Sequence, residues 1–257
     1  MAFITSYDGR GFHGWQRQGE EKTVQGSIEE AVSNLTGMPI SITGSGRTDA
    51  GVSAHGQVFH MDIPIRESRP WTPESLLKGI NHFLPQEIRI LSATRAPGSF
   101  HARHDVERKI YRYRLRIGPR KQTRGPLEDP FTGVFLAPVD LALLKESSSF
   151  FLGHHDFTHF TVKKSLPPKT QRNIEDIFWE QTGCDLQLWI TGKGFLHMMI
   201  RFIVGTIVEV ASGKRTIGEI ATLLQTDALP PAKCLRPAPP EGLSLIRVLY
   251  GKKDPFV

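Results

Sequence analysis

The apolar residues of this chain change period in the order strand, helix, strand, strand, helix, strand, and then run through a similar order again. Ala2 to Tyr7 reads as a strand ending at an Asp8-Gly9 turn. Val24, Ile28, Ala31, Val32 and Leu35 recur at helical spacing, with Thr23 as N-cap and Gly37 just past the end. Strands follow near 40–43 and 57–63. A helix then starts at Pro73, capped by Thr72, with Leu76, Leu77, Ile80, Phe83 and Leu84 on one stripe. Ile88 to Ala93 closes the first run. In the second run, Arg108 to Ile117 predicts a strand and Asp140 to Phe151 a helix. Arg172–Gln181 and Asp185–Thr191 predict a hairpin through Thr182-Gly-Cys184, and His197 to Ala211 predicts a strongly apolar helix. Thr216-Ile-Gly-Glu219 is a capping box for a short extra helix. Prolines at 230, 231, 237, 239 and 240 mark a loop before the last strand, Leu243 to Tyr250. Each βαββαβ run is a split-βαβ, ferredoxin-like unit. The expectation is therefore an α+β chain with units at 1–105 and 106–257, whose mainly antiparallel sheets carry helices on one face. A length of 257 residues is enough to bury a large core.

Within the first unit, Gly44-Ser-Gly-Arg-Thr-Asp-Ala-Gly51 sets one carboxylate, Asp49, among small residues, with Arg47 two positions before it. Glycines here permit tight turns and close approach to a bulky ligand. The apolar run Val58 to Met61 leads the loop into a buried strand. From the residues alone, this is either a turn whose Asp caps its own backbone or a loop presenting a nucleophile or general base.

Three further places invite a functional reading. Arg201 lies among Met198, Met199, Ile200, Phe202, Ile203 and Val204. Its guanidinium must reach water along an edge shared with Glu209, or meet a carboxylate, and the residues leave both open. In the strand 108–117, Tyr111, Tyr113, Leu115 and Ile117 alternate with Arg112, Arg114 and Arg116. The tyrosine face suits a core, which fits Tyr113 well, and the arginine face is either a solvated surface or a phosphate-binding strip. The loop Arg10 to Arg17 sets Phe12, His13 and Trp15 between basic ends, a composition for stacking and phosphate contact or for a plain hairpin tip.

A net charge of +6 favours a polyanionic partner. Two cysteines, Cys184 and Cys234, can build neither a disulfide framework nor a four-cysteine metal site, so a reducing cytoplasm is expected. The N-terminal residues show no basic stretch followed by an apolar one, so no signal peptide is expected. The apolar segment Phe195 to Ala211 is short for a membrane span and carries His197, Arg201 and Glu209, which argues for a buried helix and against a membrane partner.

Gly44-Ser-Gly-Arg-Thr-Asp-Ala-Gly-Val-Ser-Ala-His-Gly-Gln-Val58 resembles the catalytic motif of the bacterial tRNA pseudouridine synthase A family. Further matches follow in order: Tyr7-Asp-Gly-Arg-Gly-Phe-His-Gly-Trp-Gln-Arg-Gln18, Phe100-His-Ala-Arg103 leading to Lys109-Ile-Tyr-Arg-Tyr-Arg114, and His155-Asp-Phe-Thr-His-Phe160. Gly194-Phe-Leu-His-Met-Met-Ile-Arg-Phe-Ile-Val-Gly205 and Ala238-Pro-Pro-Glu-Gly-Leu243 complete a resemblance over nearly the whole chain. It implies two units joined into one sheet with a central cleft. It also implies isomerisation of uridine to pseudouridine at positions 38, 39 and 40 of the anticodon stem and loop of tRNA, without a cofactor, by a homodimer. Asp49 is then the nucleophile, attacking C1′ of the ribose or C6 of the base, and Arg201 its ion-pair partner. Tyr111 stacks on the target uracil, and its hydroxyl is a candidate for proton transfer at C5. Arg47 contacts the substrate near the flipped nucleotide, with Arg10, Trp15 and Arg17 as further RNA contacts. Two positions depart from the pattern: Ser53 stands where histidine is common, and Phe202 where many members carry asparagine.

Rival readings are weaker. A non-catalytic RNA-binding protein on the same scaffold explains the charge and aromatics but does not need Asp49, Tyr111 and Arg201 together. A nucleotide-binding enzyme calls for a Walker or dinucleotide fingerprint, which is missing. His154, His155, Asp156 and His159 invite a metal reading through the i,i+4 spacing of His155 and His159. A turn with Asp156 as cap is the expectation, with no metal.

Overall fold

Buried Val24, Ile28, Ala31 and Val32 line one face of the helix Val24–Thr36 (α1). Thr23 Oγ1 accepts from Gly26 N at its start, and Gly37, at φ 77°, ends it in the left-handed region where a side chain is strained. The computed structural model describes residues 1–64, 70–118, 130–136, 138–182, 185–225 and 233–257. The expected Gly183-Cys184 turn and Pro230-Pro231 lie outside them.

Contacts divide the chain into two compact units, Met1–Lys109 with Ser244–Val257, and Ile110–Leu243. The first holds β1 (Ala2–Tyr7), α1, β2 (Thr43–Gly44), β3 (Ser53–His60), α2 (Pro73–Phe83) and β4 (Ile88–Thr94). The second runs through β5 (Arg108–Ile117), β6 (Gly133–Phe135), α3 (Leu141–Ser149), β7 (Gly153–Asp156), β8 (Gln171–Thr182), β9 (Asp185–Gly192), α4 (Met199–Ala211) and α5 (Ile217–Leu223). The last strand, β10 (Leu243–Leu249), returns to the first unit and pairs in parallel with β3, Ser244 opposite Ser53. That pairing, together with the bonds of Leu249 O to Glu107 N, Tyr250 Oη to Ala102 O and Lys253 to Asp105, groups residues 244–257 with the first unit, whereas the sequence reading places them in the second and divides the chain at 105/106.

In the first unit the strand order is β4-β1-β3-β10, with β1 antiparallel to both β3 and β4 and β2 antiparallel to β3. Phe3 and Phe59 stack at 4.9 Å in its core, and α1 packs on α2. In the second unit the order is β5-β9-β8-β7, with β7, β8 and β9 antiparallel and β6 parallel to β5. Tyr113, Leu188, Ile203, Val204 and Ile207 are fully buried there, and α3 packs against α4 and β8. The architecture is α+β, mainly antiparallel, with five α-helices among the described residues.

Departures from the predicted elements have local causes. β3 starts at Ser53, not Gln57, because its polar first residue is buried with a partner: Ser53 Oγ accepts from Gly9 N at 3.0 Å, and further along Gln57 Oε1 accepts from Ser45 Oγ at 2.5 Å. β7, a Gly-His-His-Asp strand of low intrinsic propensity, is specified by its pairing with β8, His154 opposite Asn173. α4 starts at Met199, two residues late, because Met198 adopts φ 60°.

Candidate active site

The loop between β2 and β3 is tied down on almost every side of Asp49. Ser45 N donates to Val58 O at 2.7 Å, and Gln57 Nε2 donates to Gly46 O at 3.0 Å. Thr48 is held twice: its hydroxyl shares a 2.9 Å hydrogen bond with Tyr7, and its carbonyl accepts from Trp15 N at 3.1 Å. Burial pushes the Tyr7 phenol up, so it stays neutral and serves purely as this tether. Gly51, at φ 79°, donates to Phe12 O at 3.3 Å, and Val52 N donates to the Asp49 carbonyl at 3.1 Å. Asp49 itself is half-buried. Arg47 is exposed and has no hydrogen-bond or ion-pair partner among the described residues, so its guanidinium is available to an anion.

The backing of this loop revises one expectation. Trp15 is 1% exposed, its ring packed so close to Gly44 that a Cβ there would lie 2.5 Å from Nε1. It also packs near Tyr7 and Phe59. An indole so enclosed has no face to offer a base, so Trp15 supports the loop instead of stacking on RNA. Phe12 is likewise buried. Arg10 is exposed and bidentate on Asp8, and Arg17, at 65% side-chain exposure, reaches Glu29 at 3.2 Å. The Arg10–Asp8 pair lies at the surface and is weak, whereas Glu29 is buried and also accepts from Gln25 Nε2 and Ile42 N, so it keeps partners when the exposed Arg17 head turns to a phosphate.

In the second unit, Tyr111 is 7% exposed and meets Phe195 edge-on, centroids 5.2 Å apart. Arg201 sits in the first turn of α4, where Nε donates to Ala238 O at 2.8 Å while Ala238 N donates back to Arg201 O at 2.8 Å. That reciprocal pair fixes the stem of the guanidinium. Close packing of Gly205 on Arg236 makes the approach possible, since a Cβ at 205 would fall 2.0 Å from the Arg236 carbonyl oxygen. Tyr113 is core, as its alternation predicts, with its hydroxyl donating to Pro239 O at 2.8 Å.

The arginine face of β5 is neither of the two alternatives in pure form. Arg114 and Arg116 converge on Asp185 at 3.1 and 2.7 Å, and Arg112 lies over the Trp189 ring at 5.7 Å. Burial raises the Asp185 carboxyl, but hydrogen bonds and charge from Arg116 and Arg114 more than offset that and hold it below its ordinary value. The histidine cluster falls on β7 and a 3₁₀ turn, so the helical spacing of His155 and His159 does not apply. Phe157, not Asp156, holds the cap position of the turn, and Asp156 Oδ1 accepts from Thr158 N at 2.9 Å and Thr158 Oγ1 at 2.6 Å just before it. Among the described residues no group of three or more histidine, cysteine or acidic side chains is arranged to hold a metal ion.

Sequence reasoning missed the supports of the loop. Lys109 Nζ donates to the Ser45 carbonyl at 2.9 Å. Its signal was present: strand alternation puts a cation at the head of the Tyr111–Tyr113 face. Tyr7 and Gln57 gave no comparable signal, because a lone polar residue in an apolar strand does not name its partner.

A family model described as tRNA pseudouridine synthase matches residues 3–105 and 149–251. The chain is 39% identical over 260 residues to tRNA pseudouridine synthase A of Akkermansia muciniphila, covering 97% of this chain and 94% of that one. It is 36% identical to the same-named protein of Brevibacillus brevis, covering 96% and 98%, and 35% identical to that of Citrifermentans bemidjiense, covering 98% of each.

Proposed function

The chain belongs to the tRNA pseudouridine synthase family, and we propose that it isomerises uridine to pseudouridine at positions 38, 39 and 40 in the anticodon stem and loop of tRNA, as a cytoplasmic homodimer. The observation that carries this reading is the tethering of residues 45–52 around one half-buried carboxylate, Asp49. A loop fixed through Ser45, Gly46, Thr48 and Gly51 presents that carboxylate in one orientation, which is what a nucleophile needs before the substrate arrives.

The reaction breaks the C1′–N1 bond, turns the base, and forms C1′–C5. C5 gives up its proton and N1 gains one, so atoms and electrons balance without an oxidant or cofactor. Asp49 attacks C1′ or C6, and either route needs it ionised. Arg201, its stem fixed by Ala238, supplies the counter-charge that keeps it so. Tyr111 packs its ring on the detached uracil and takes part in moving the C5 proton. Stacking on a flipped base is worth about 1–3 kcal/mol, which offsets part of the cost of extruding it. Arg47, Arg10 and Arg17 carry the backbone contacts, and the basic balance of the chain makes binding salt-dependent.

The test is to incubate purified protein with unmodified tRNA transcripts carrying uridine at 38, 39 and 40 and to map pseudouridine by primer-extension stops after carbodiimide treatment. Stops at those positions, lost when cytidine replaces uridine there, are expected. Pseudouridine elsewhere in the transcript would overturn the positions, and none at all would overturn the activity.

A further inference from the structure

Lys109 has no role in the chemistry above, yet its ammonium is spent on the catalytic loop. It donates to Ser45 O at 2.9 Å and makes no ion pair among the described residues. Burial, with Arg103 adding repulsion, pulls its pKa down to about 8. A desolvated cation with no ion pair among the described residues is a poor device for stability, so its place against the loop asks for another reason. Its neighbour Gly46 supplies the second half of the observation. A Cβ at residue 46 would lie 2.5 Å from Lys109 Nζ, so a side chain there would push the ammonium from its present place over Ser45 O. Gln57 meanwhile holds the next carbonyl, that of Gly46, at 3.0 Å. Two successive carbonyls, three and four residues before Asp49, are thus gripped by two different side chains.

We propose that Lys109 is a positioning residue for Asp49, clamping the Ser45-Gly46 turn so that the carboxylate is held in its reacting orientation. The proposal rests on the reading of Asp49 as nucleophile. It also gives the Lys109-Ile-Tyr111 spacing on β5 a purpose: one face of one strand carries both the clamp and the tyrosine.

The experiment compares Lys109→Met, Gly46→Ala, the double variant and Lys109→Gln with wild type and Asp49→Asn, reading kcat, KM for tRNA and Tm at pH 7. Lys109→Met should lower kcat by about 10- to 100-fold, the scale of one lost charge-assisted hydrogen bond. KM should stay within about twofold, and Tm should not fall, because a desolvated charge has been removed. Lys109→Gln, which keeps a donor, should recover part of kcat. Gly46→Ala should lose kcat by displacing the ammonium, and the double variant should be no worse than the weaker single. Wild-type kcat in Lys109→Met, a Tm loss that accounts for the activity loss, or additive effects in the double variant would each overturn the proposal. Activity in Asp49→Asn would instead remove the nucleophile reading, whatever Lys109 does.

Discussion

Gly205→Ala should weaken both the fold and the reaction, against the ordinary expectation for glycine in a helix. Alanine in place of glycine within a helix normally stabilises by about 1 kcal/mol. At residue 205 the added methyl would sit 2.0 Å from Arg236 O, 3.1 Å from its carbonyl carbon and 3.2 Å from Ala238 N. The nearest contact is about 1.4 Å short of an ordinary one, and backbone cannot swing aside as a flexible side-chain end can. Residues 236–238 must therefore retreat from α4. That movement breaks the reciprocal pair between Arg201 and Ala238, each bond 2.8 Å long. One neutral backbone bond is worth about 1 kcal/mol and one from a guanidinium about 2. With about 1 kcal/mol of residual strain, set against the helical gain, the net cost is about 3 kcal/mol. In a chain of this size that lowers Tm by about 6–12 °C. Because the released guanidinium is that of Arg201, kcat should fall at least tenfold even at 20 °C, where the variant remains folded. The assay is calorimetry together with tritium release from tRNA carrying 5-tritiated uridine. Gly218→Ala in α5, where nothing lies within 4 Å of the position its methyl would take, is the control and should be neutral or slightly stabilising. A Gly205→Ala protein as stable and active as wild type would refute both the tight packing at this position and the link from Gly205 to Arg201.

Three other perturbations separate the roles assigned above. Tyr111→Phe should bind tRNA normally but lose about 10²–10⁴ in rate in the tritium-release assay, the usual worth of general acid–base assistance; activity within a few fold of wild type would restrict Tyr111 to stacking. Arg201→Met should cost at least 100-fold in kcat with a Tm change of no more than about 5 °C, since losing the Ala238 bond is partly offset by removing a half-buried charge, and a fully active variant would rule out the counter-charge role. Asp185 has a folded pKa held below its ordinary value, so its stabilising contribution is present above pH about 4 and is lost as pH falls through the folded pKa. Asp185→Asn should therefore lower Tm at pH 7, leaving Arg114 and Arg116 without this carboxylate, and the gap to wild type should close below pH 4; a gap independent of pH would contradict the pairing.

Where periodicity and capping acted together, the elements were legible in the sequence. Thr23 and Thr72 start helices because each hydroxyl accepts from a backbone N–H three residues on, and Glu219 accepts from Thr216 N, while Gly37 ends its helix at positive φ and Pro73 fixes φ at the first helical position. The alternation of β5 likewise identified Tyr113 as core. Long-range satisfaction of polar groups was not legible. Gln57 and Ser45, Tyr7 and Thr48, and Lys109 and Ser45 find each other across 12, 41 and 64 positions, so no local pattern announces them. The same limit explains Trp15, whose neighbours suggest an RNA-stacking loop but whose burial depends on Gly44 in a distant strand. Return of β10 to β3 is a matter of topology, and a repeated local order does not reveal it.

Asp49→Asn is the decisive substitution for the nucleophile, because it keeps the size and most of the hydrogen-bonding shape of the side chain while removing the charge that attack requires. Single-turnover reaction of excess protein with a tRNA transcript, followed by nuclease digestion and mass spectrometry of the nucleosides, reads product without dependence on release. The predicted result is no pseudouridine, with tRNA affinity within a few fold of wild type and an unchanged Tm. Pseudouridine formed at more than a few per cent of the wild-type rate would contradict the assignment of Asp49 as the nucleophile.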